Sequence, residues 1–327
     1  TMSARPVKRP TVVIQYPFIP LYRVPIFRKL SESSAYDFVF WAGRESPDKF
    51  LKTQSEIPGV KLEEVPLTLL RVPVLRKTLE LQLSALAKLL RTRPDLYVIL
   101  ANPNSISSWA SMLWARILGI RVVAWSHGFL KDEKGLKGLV RSLYYRIPHG
   151  HLVYGNRARE IMIHKGFDAS RIDVIYNSLD YETQARLRDQ LGMKDRLHTR
   201  TVYGVPPDAV LLIAIGRLMS KLKLDQAISA IKLLQEQERN VYLLIVGDGP
   251  ESESLRHHAE SLDVSHRVIF YGPCHDEVQL ATLFNATDIT VVMGKVGLSA
   301  MHSLGYGVPL LTNDQLDEHF PEIEAII

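Results

Sequence analysis

At 327 residues the chain is long for one domain, and 46% apolar with 23% charged residues lets each of about two domains bury an ordinary core. No run approaches the ~18 apolar residues of a membrane-spanning helix, Met2, Ser3, Arg5, Lys8 and Arg9 come without a secretory apolar region, so the cytoplasm is the expected address, and a single cysteine, Cys274, excludes an internal disulfide and a cysteine-rich metal site. Residues 1–200 hold 32 Lys+Arg against 18 Asp+Glu and residues 201–327 hold 8 against 17, or +14 and −9 within the net +5, so a basic domain facing an anionic surface or substrate is expected ahead of an acidic one.

In chain order, Thr11–Gln15, Tyr36–Ala42, Leu96–Ala101, Val122–Trp125 and His151–Val153 read as buried strands with helical periodicity between them. Val74–Arg93 sets leucines at helical spacing among Arg76, Lys77, Lys88, Arg91 and Arg93, and Lys131–Arg146 repeats the mixture with Tyr144 and Tyr145. Such helices either lie on an anionic membrane surface or turn their leucines to the core beneath a solvated rim. No groove-reading or base-stacking motif occurs, so nucleic acid is not an expected partner. Asn177–Asp208 is polar and ends in Tyr203-Gly204-Val205-Pro206-Pro207, which predicts the junction there and domains of 1–200 and 201–327.

Four further strands follow, each running into a glycine. Val210–Ile215 precedes Gly216-Arg217-Leu218, Val241–Val246 precedes Gly247-Asp248-Gly249-Pro250, Val268–Tyr271 precedes Gly272-Pro273, and Ile289–Met293 precedes Gly294-Lys295-Val296-Gly297-Leu298. Alternation on both sides predicts α/β architecture with two doubly wound, Rossmann-like domains. In open parallel sheets ligands bind at the carboxyl ends of strands, where helix N-termini offer N–H groups to anions, so a phosphorylated ligand is expected. Neither half has G-x-G-x-x-G after its first strand, which weakens a dinucleotide reading. With no D-x-D and no ligand-spaced His/Asp/Glu cluster, neither a metal nor another cofactor is expected.

The second-half motifs, in this order and spacing, resemble family 4 glycosyltransferases of bacterial polysaccharide biosynthesis. Ile175-Tyr176-Asn177-Ser178-Leu179-Asp180 is similar to the family's hinge segment, and Ile19-Pro20-Leu21-Tyr22-Arg23-Val24-Pro25 to a first-loop sequence of its bacterial branch. The resemblance implies the GT-B fold, two such domains facing across a cleft, and a retaining enzyme that moves a sugar from a nucleotide-diphosphate sugar to an acceptor hydroxyl without a metal. A glycan on a lipid carrier is the implied acceptor, handled in the cytoplasm or peripherally on the inner face of the plasma membrane. A GT-B sugar-nucleotide 2-epimerase and a non-catalytic nucleotide-sugar-binding subunit are the alternatives.

By the same resemblance, Arg217 after Gly216 takes the place of the family's phosphate-binding arginine, a role its bidentate fork suits. The family's lysine falls at Leu222, with Lys221 and Lys223 on either side; one of them substitutes, and Lys223 is preferred. His127, before Gly128, stands where the family has a donor-sugar histidine and completes the catalytic set with Arg217 and Lys223. Donor contacts are expected from Gly272, from the helix opening Val296-Gly297-Leu298-Ser299, and from Glu322. The family's paired glutamates fall at Gly294 and His302, so both carboxylates are absent and His302 is left to accept a ribose hydrogen bond. Tyr22, Arg23 and Asn102 are expected on the acceptor side. The family also implies a glycine-containing loop and a terminal helix beyond Ile327.

Overall fold

The computed structural model describes residues 9–48, 52–72 and 77–326. The N-terminal cluster up to Lys8 and the start of the first amphipathic stretch, Val74 to Arg76, lie outside the described residues. The chain divides into two compact units, Thr1–Tyr176 and Asn177–Ile327.

The first unit is built on seven parallel strands in the order β3-β2-β1-β6-β7-β8-β9. These are β1 (Thr11–Phe18), β2 (Asp37–Gly43), β3 (Leu62–Glu64), β6 (Leu96–Leu100), β7 (Arg121–Ser126), β8 (Gly150–Val153) and β9 (Ile172–Val174). Because side chains alternate along a strand, Val13 of β1 joins one core and Val12 and Ile14 the other. The core around Val13 is closed by α2 (Ser84–Thr92), α3 (Ile106–Ile117), α4 (Gly135–Tyr145) and α5 (Asn156–His164), through Leu89, Met112, Tyr144 and Met162. On the other face Phe27 of α1 (Val24–Ser31) stacks on Phe40 with centroids 4.3 Å apart.

The stretch expected as one helix from Val74 to Arg93 is instead a strand followed by a short helix. Within it β5 (Lys77–Leu81) pairs antiparallel with β4 (Thr68–Val72), and only α2 is helical. Leu79 and Leu81 fit the period of a strand as well as that of a helix, and pairing with β4 decides between them.

The second unit carries five parallel strands in the order β12-β11-β10-β13-β14, from β10 (Val210–Ile215), β11 (Val241–Val246), β12 (Val268–Gly272), β13 (Ile289–Val292) and β14 (Leu310–Thr312). Its helices are α6 (Tyr181–Gln190), α7 (Met193–Val202), α8 (Leu224–Glu236), α9 (Ser252–Ser261), α10 (Glu277–Ala286) and α11 (Leu298–Gly305). Strand order reverses direction at β10, which makes the β10/β13 boundary the topological switch point, where open α/β sheets bind ligands.

The expected junction at residue 200 moves to Tyr176/Asn177, inside the predicted hinge segment. Residues read as a polar linker form α6 and α7, which pack on the second unit through polar side chains. Arg200 is buried, donating to Ala286 O (2.9 Å) and Ala209 O (2.7 Å) and pairing with Asp288 Oδ2 at 2.6 Å, while Gln184 donates to Glu277 Oε1 at 2.7 Å. Helices that bury arginine and glutamine give no apolar stripe to read in a sequence.

Candidate active site

At the carboxyl ends of β10 to β13 the loops meet as bare backbone. Gly216 N donates to Val246 O at 3.0 Å, Gly247 N to Gly272 O at 2.8 Å and Leu218 N to Asp248 O at 3.0 Å. A Cβ on Gly247 would stand 1.9 Å from Gly216 O, one on Gly249 2.3 Å from Leu218 O, and one on Gly294 2.0 Å from Lys221 O. The side chain missing at Gly294, where the resemblance looks for a carboxylate, is therefore a packing requirement of this chain. Gly272 differs: its φ is 91° but open space surrounds it.

Cations concentrate on these loops. Four of the eight Lys+Arg residues of 201–327, namely Arg217, Lys221, Lys223 and Lys295, stand at this edge of a domain that is acidic as a whole. Arg217 is exposed. Lys223, in the left-handed conformation (φ 52°) ahead of α8, reaches Glu318 Oε2 at 3.3 Å. Lys221 and Lys295 each place Nζ 5.7 Å from the centre of the Phe320 ring, and Lys295 N donates to Lys221 O at 3.3 Å. Among the described residues no carboxylate lies within ion-pair distance of Lys221 or Lys295. Sequence reasoning missed Lys295; its position one residue past the glycine that ends the β13 segment was the available signal.

The opening of α11 is part site and part core. Gly297 is its N-cap, and Leu298 and Ser299 begin the helix, where backbone N–H groups have no helical carbonyl. Val296, expected among the donor contacts, is a core residue beside Val292, Ala300 and Ile323, and its N–H donates to His319 Nδ1 at 3.0 Å. His319 Nε2 faces Asn313 O at 3.1 Å, so its two partners fix the tautomer protonated at Nε2.

His302, expected to accept a ribose hydrogen bond, has one ring nitrogen engaged inside the unit. Its Nδ1 accepts from Gln184 Nε2 at 3.2 Å and lies 3.9 Å from Glu277 Oε1, and burial pushes its pKa down, with Glu277 opposing. Glu322 is buried, its Oε1 accepting from Asn177 Nδ2 at 2.6 Å while Oε2 has no partner among the described residues. An unpaired buried carboxylate oxygen costs folding energy unless a ligand or water meets it, which keeps Glu322 a candidate for a sugar or ribose hydroxyl.

In the first unit, the carboxyl ends of β1, β7 and β8 carry an aromatic box around a cation. Arg23 is only 3% exposed; its Nη2 donates to Tyr154 Oη at 2.8 Å, and its guanidinium lies 5.2 Å from the Trp125 ring, 5.4 Å from Tyr154 and 5.4 Å from Tyr22. Cation–π contact and a charge-assisted hydrogen bond offset the desolvation of such a charge. Arg23, expected to meet an acceptor, is thus turned inward, while Tyr22 is half-buried beside it. His127 packs edge-on against Tyr154 with centroids 4.8 Å apart. One side of His127 is open to solvent although protein is dense around the rest of the ring. That density and the Arg23 cation push its pKa down to about 4, which makes neutral imidazole the form at neutral pH. Asn102 lies apart from this box, bordering a separate cavity of about 70 Å³ with Gln15, Gln82 and Ser105.

Two family models divide the chain between them. The model described as Glycosyltransferase Family 4 matches residues 33–183, and the one described as Glycosyl transferases group 1 matches residues 195–324. The chain belongs to the glycosyltransferases. A D-inositol 3-phosphate glycosyltransferase of Mycobacterium bovis is 28% identical to this chain over 165 residues, 48% of the chain and 32% of the relative. The chain spans about a third of the length of the curated relatives it matches. Among solved structures, Anabaena HepE in complex with UDP-glucose has a TM-score of 0.66 at 15% identity, covering 97% of this chain and 82% of that one. A protein described as a putative UDP-N-acetylglucosamine 2-epimerase from Listeria monocytogenes has a TM-score of 0.63 at 14% identity, covering 97% and 82%. These likenesses establish the GT-B fold of two parallel-sheet α/β domains. Among the described residues no group of three His, Cys, Asp or Glu could hold a metal, and no helix is long and apolar enough to cross a membrane.

Proposed function

We propose that the protein transfers a sugar, with retention at the anomeric carbon, from a nucleoside-diphosphate sugar to an acceptor hydroxyl. The observation that carries this reading is the cationic edge at the β10/β13 switch point, where Arg217, Lys221 and Lys295 gather beside the opening of α11. Breaking the glycosidic bond leaves charge on the departing diphosphate, and fixed cations and N–H groups there lower the barrier because they bind that charge more strongly as it develops. Such a set does without a metal the work a divalent ion does elsewhere. Neutral His127 can accept or donate a hydrogen bond but carries no charge to repel a cationic transition state. The acceptor we infer is a glycan on a lipid carrier, met at the cytoplasmic face of an anionic membrane, which the basic first unit supports.

The test is thermal shift with UDP-, GDP-, ADP- and dTDP-sugars, with Arg217→Ala as control, because a ligand that binds the native state alone stabilises it. One nucleotide preferred by the wild type and lost in the variant supports the reading; no shift with any donor overturns it. The shared fold with the 2-epimerase-type structure keeps one competing reading in play. Incubating the protein with the preferred donor and no acceptor separates them, since an epimerase alters the nucleotide sugar unaided.

A further inference from the structure

The loops at the amino ends of β8 and β9 enclose a cavity of about 340 Å³ that the transfer reaction leaves unused. It lies within the first unit, at the opposite end of the sheet from His127, which follows the carboxyl end of β7. The loop after α4 supplies Arg146 and His149, β8 supplies His151, and the turn between α5 and β9 supplies Phe167, Asp168 and Arg171. Small-molecule sites run from ~300 to ~1,000 Å³, so the cavity suits a small ligand.

The floor is aromatic and the rim cationic. His151 is 4% exposed, and its Nδ1 has no hydrogen-bond partner among the described residues. A buried polar atom left unpaired costs folding energy unless water or a ligand meets it. Arg146 and Arg171 are exposed at the rim. Arg146 is held by neutral groups: Nη2 donates to Lys165 O at 3.1 Å and the guanidinium stands 5.0 Å from the Phe167 ring centre, and neither contact neutralises its charge. His149 Nδ1 accepts from Val122 N at 3.0 Å, which puts the ring proton on Nε2 as a donor. Burial and then the charges of Arg116, Arg121 and Arg171 hold the His149 pKa below its ordinary value, so cations surround this end of the sheet. Asp168 is the one carboxylate among the described residues of the lining, and it is engaged. Its Oδ1 accepts from Ser170 N at 2.9 Å and Ser170 Oγ at 2.7 Å, and its Oδ2 lies 3.3 Å from Arg171 Nε.

We propose that this cavity binds a small phosphate monoester carrying a flat ring, the chemistry of a nucleoside monophosphate. The phosphate meets Arg146 and Arg171, whose planar forks match its oxygens, and the ring lies against Phe167 above His151. The site is separate from the cationic edge of the second unit and does not depend on the nucleotide-sugar reading. Lys165 ties it to the loop between His127 and α4. Its carbonyl accepts from Arg146, while its Nζ pairs with Asp132 at 2.5 Å and donates to Glu133 O at 3.0 Å.

The test is isothermal titration of the full chain with UMP, AMP, ribose phosphate, glycerol phosphate and inorganic phosphate, with hydrogen exchange to locate each one that binds. UMP or AMP is expected to bind ~10-fold more tightly than ribose phosphate or inorganic phosphate, as stacking of a base on an aromatic ring adds. It should slow exchange in residues 145–151 and 165–171. Arg146→Gln/Arg171→Gln, whose replaced side chains are exposed, is expected to lose ~10-fold or more in affinity, while Lys232→Gln on the second unit changes nothing. No protection of the two segments, inorganic phosphate binding as tightly as the nucleotides, or a double variant that binds unchanged overturns the proposal. So does a preference for glycerol phosphate, which would give the site to a lipid headgroup. Protection confined to residues 216–223 and 294–299 also overturns it while supporting the nucleotide-sugar reading, so the two fail separately.

Discussion

The carboxyl edges of the two sheets are held by different means. In the second unit the edge is backbone against backbone, with glycines at 216, 247, 249 and 294 and the cations projecting from it. In the first unit the edge is side chain against side chain, a buried Arg23 boxed by Trp125, Tyr154 and Tyr22 with His127 leaning on Tyr154. A backbone-built edge tolerates almost no added atom but leaves its functional side chains independent of one another. A side-chain-built edge couples its members, so that changing one alters the chemistry of the next. The outer surfaces differ as well: α3 and α4 carry apolar stripes, while α8 and α10 leave Leu233 and Val278 exposed singly.

The comparison breaks most sharply at Gly294. Gly294→Ala places a carbon 2.0 Å from Lys221 O, and since that neighbour is backbone, whole loops must move. We expect a loss of about 3 kcal/mol or more in chemical denaturation. Gly272→Ala meets no atom within 4 Å and has only its φ of 91° to contend with, so it should cost about 1 kcal/mol. Equal effects at the two positions would show that the loops relax around the added carbon and that close approach does not govern this edge.

The first unit is expected to be acid-sensitive through a buried histidine. His151 is buried between the rings of Tyr145 and Phe167, 5.9 and 5.7 Å away, and burial pushes its pKa down to about 4. The unfolded imidazole binds its proton near pH 6.5, so stability is full above that value and falls as pH drops toward 4. The contribution lost is about 3 kcal/mol at most. In His151→Phe the fall between pH 7.5 and 4.5 should be smaller by that amount in urea titrations, and an unchanged difference would remove His151 from the account. His127 follows the same sign, with a smaller share because solvent reaches it. Arg23→Met, by deleting the neighbouring cation, should raise the His127 pKa in an NMR titration, whereas no change would show the box to be uncoupled.

Much of the fold was legible because its strands are largely apolar runs, ended by glycine in the second unit. All nine strands expected from the sequence are present, and Val210–Ile215 and Val241–Val246 match to the residue. The short strands β3, β9 and β14, of three residues each, are too brief to carry a pattern. The boundary was misplaced because α6 and α7 bind their unit through Gln184 and Arg200 and so look solvated. At the site, the glycine loops and Arg217 could be placed because backbone geometry constrains sequence tightly. Arg23 could not be seen as an inward cation, since three of its four aromatic and hydroxyl partners lie at positions 125 and 154, more than a hundred residues away.

The smallest expected effect is the most discriminating among the cations of the second unit. Arg217→Ala should weaken donor binding ~10- to 100-fold, as loss of a charge-assisted contact to phosphate does. Lys295→Ala should cost ~10-fold, because Lys295 stands at the β13 side of the switch point with no carboxylate partner among the described residues. Lys223→Ala should change affinity less than ~2-fold, since its ammonium is directed to Glu318 in a half-exposed ion pair worth little either way. This ordering departs from the sequence expectation, which preferred Lys223 over Lys221. Isothermal titration of the three variants with the preferred nucleotide diphosphate decides it, and a Lys223 variant as weak as the Lys295 variant would return the phosphate contact to the start of α8.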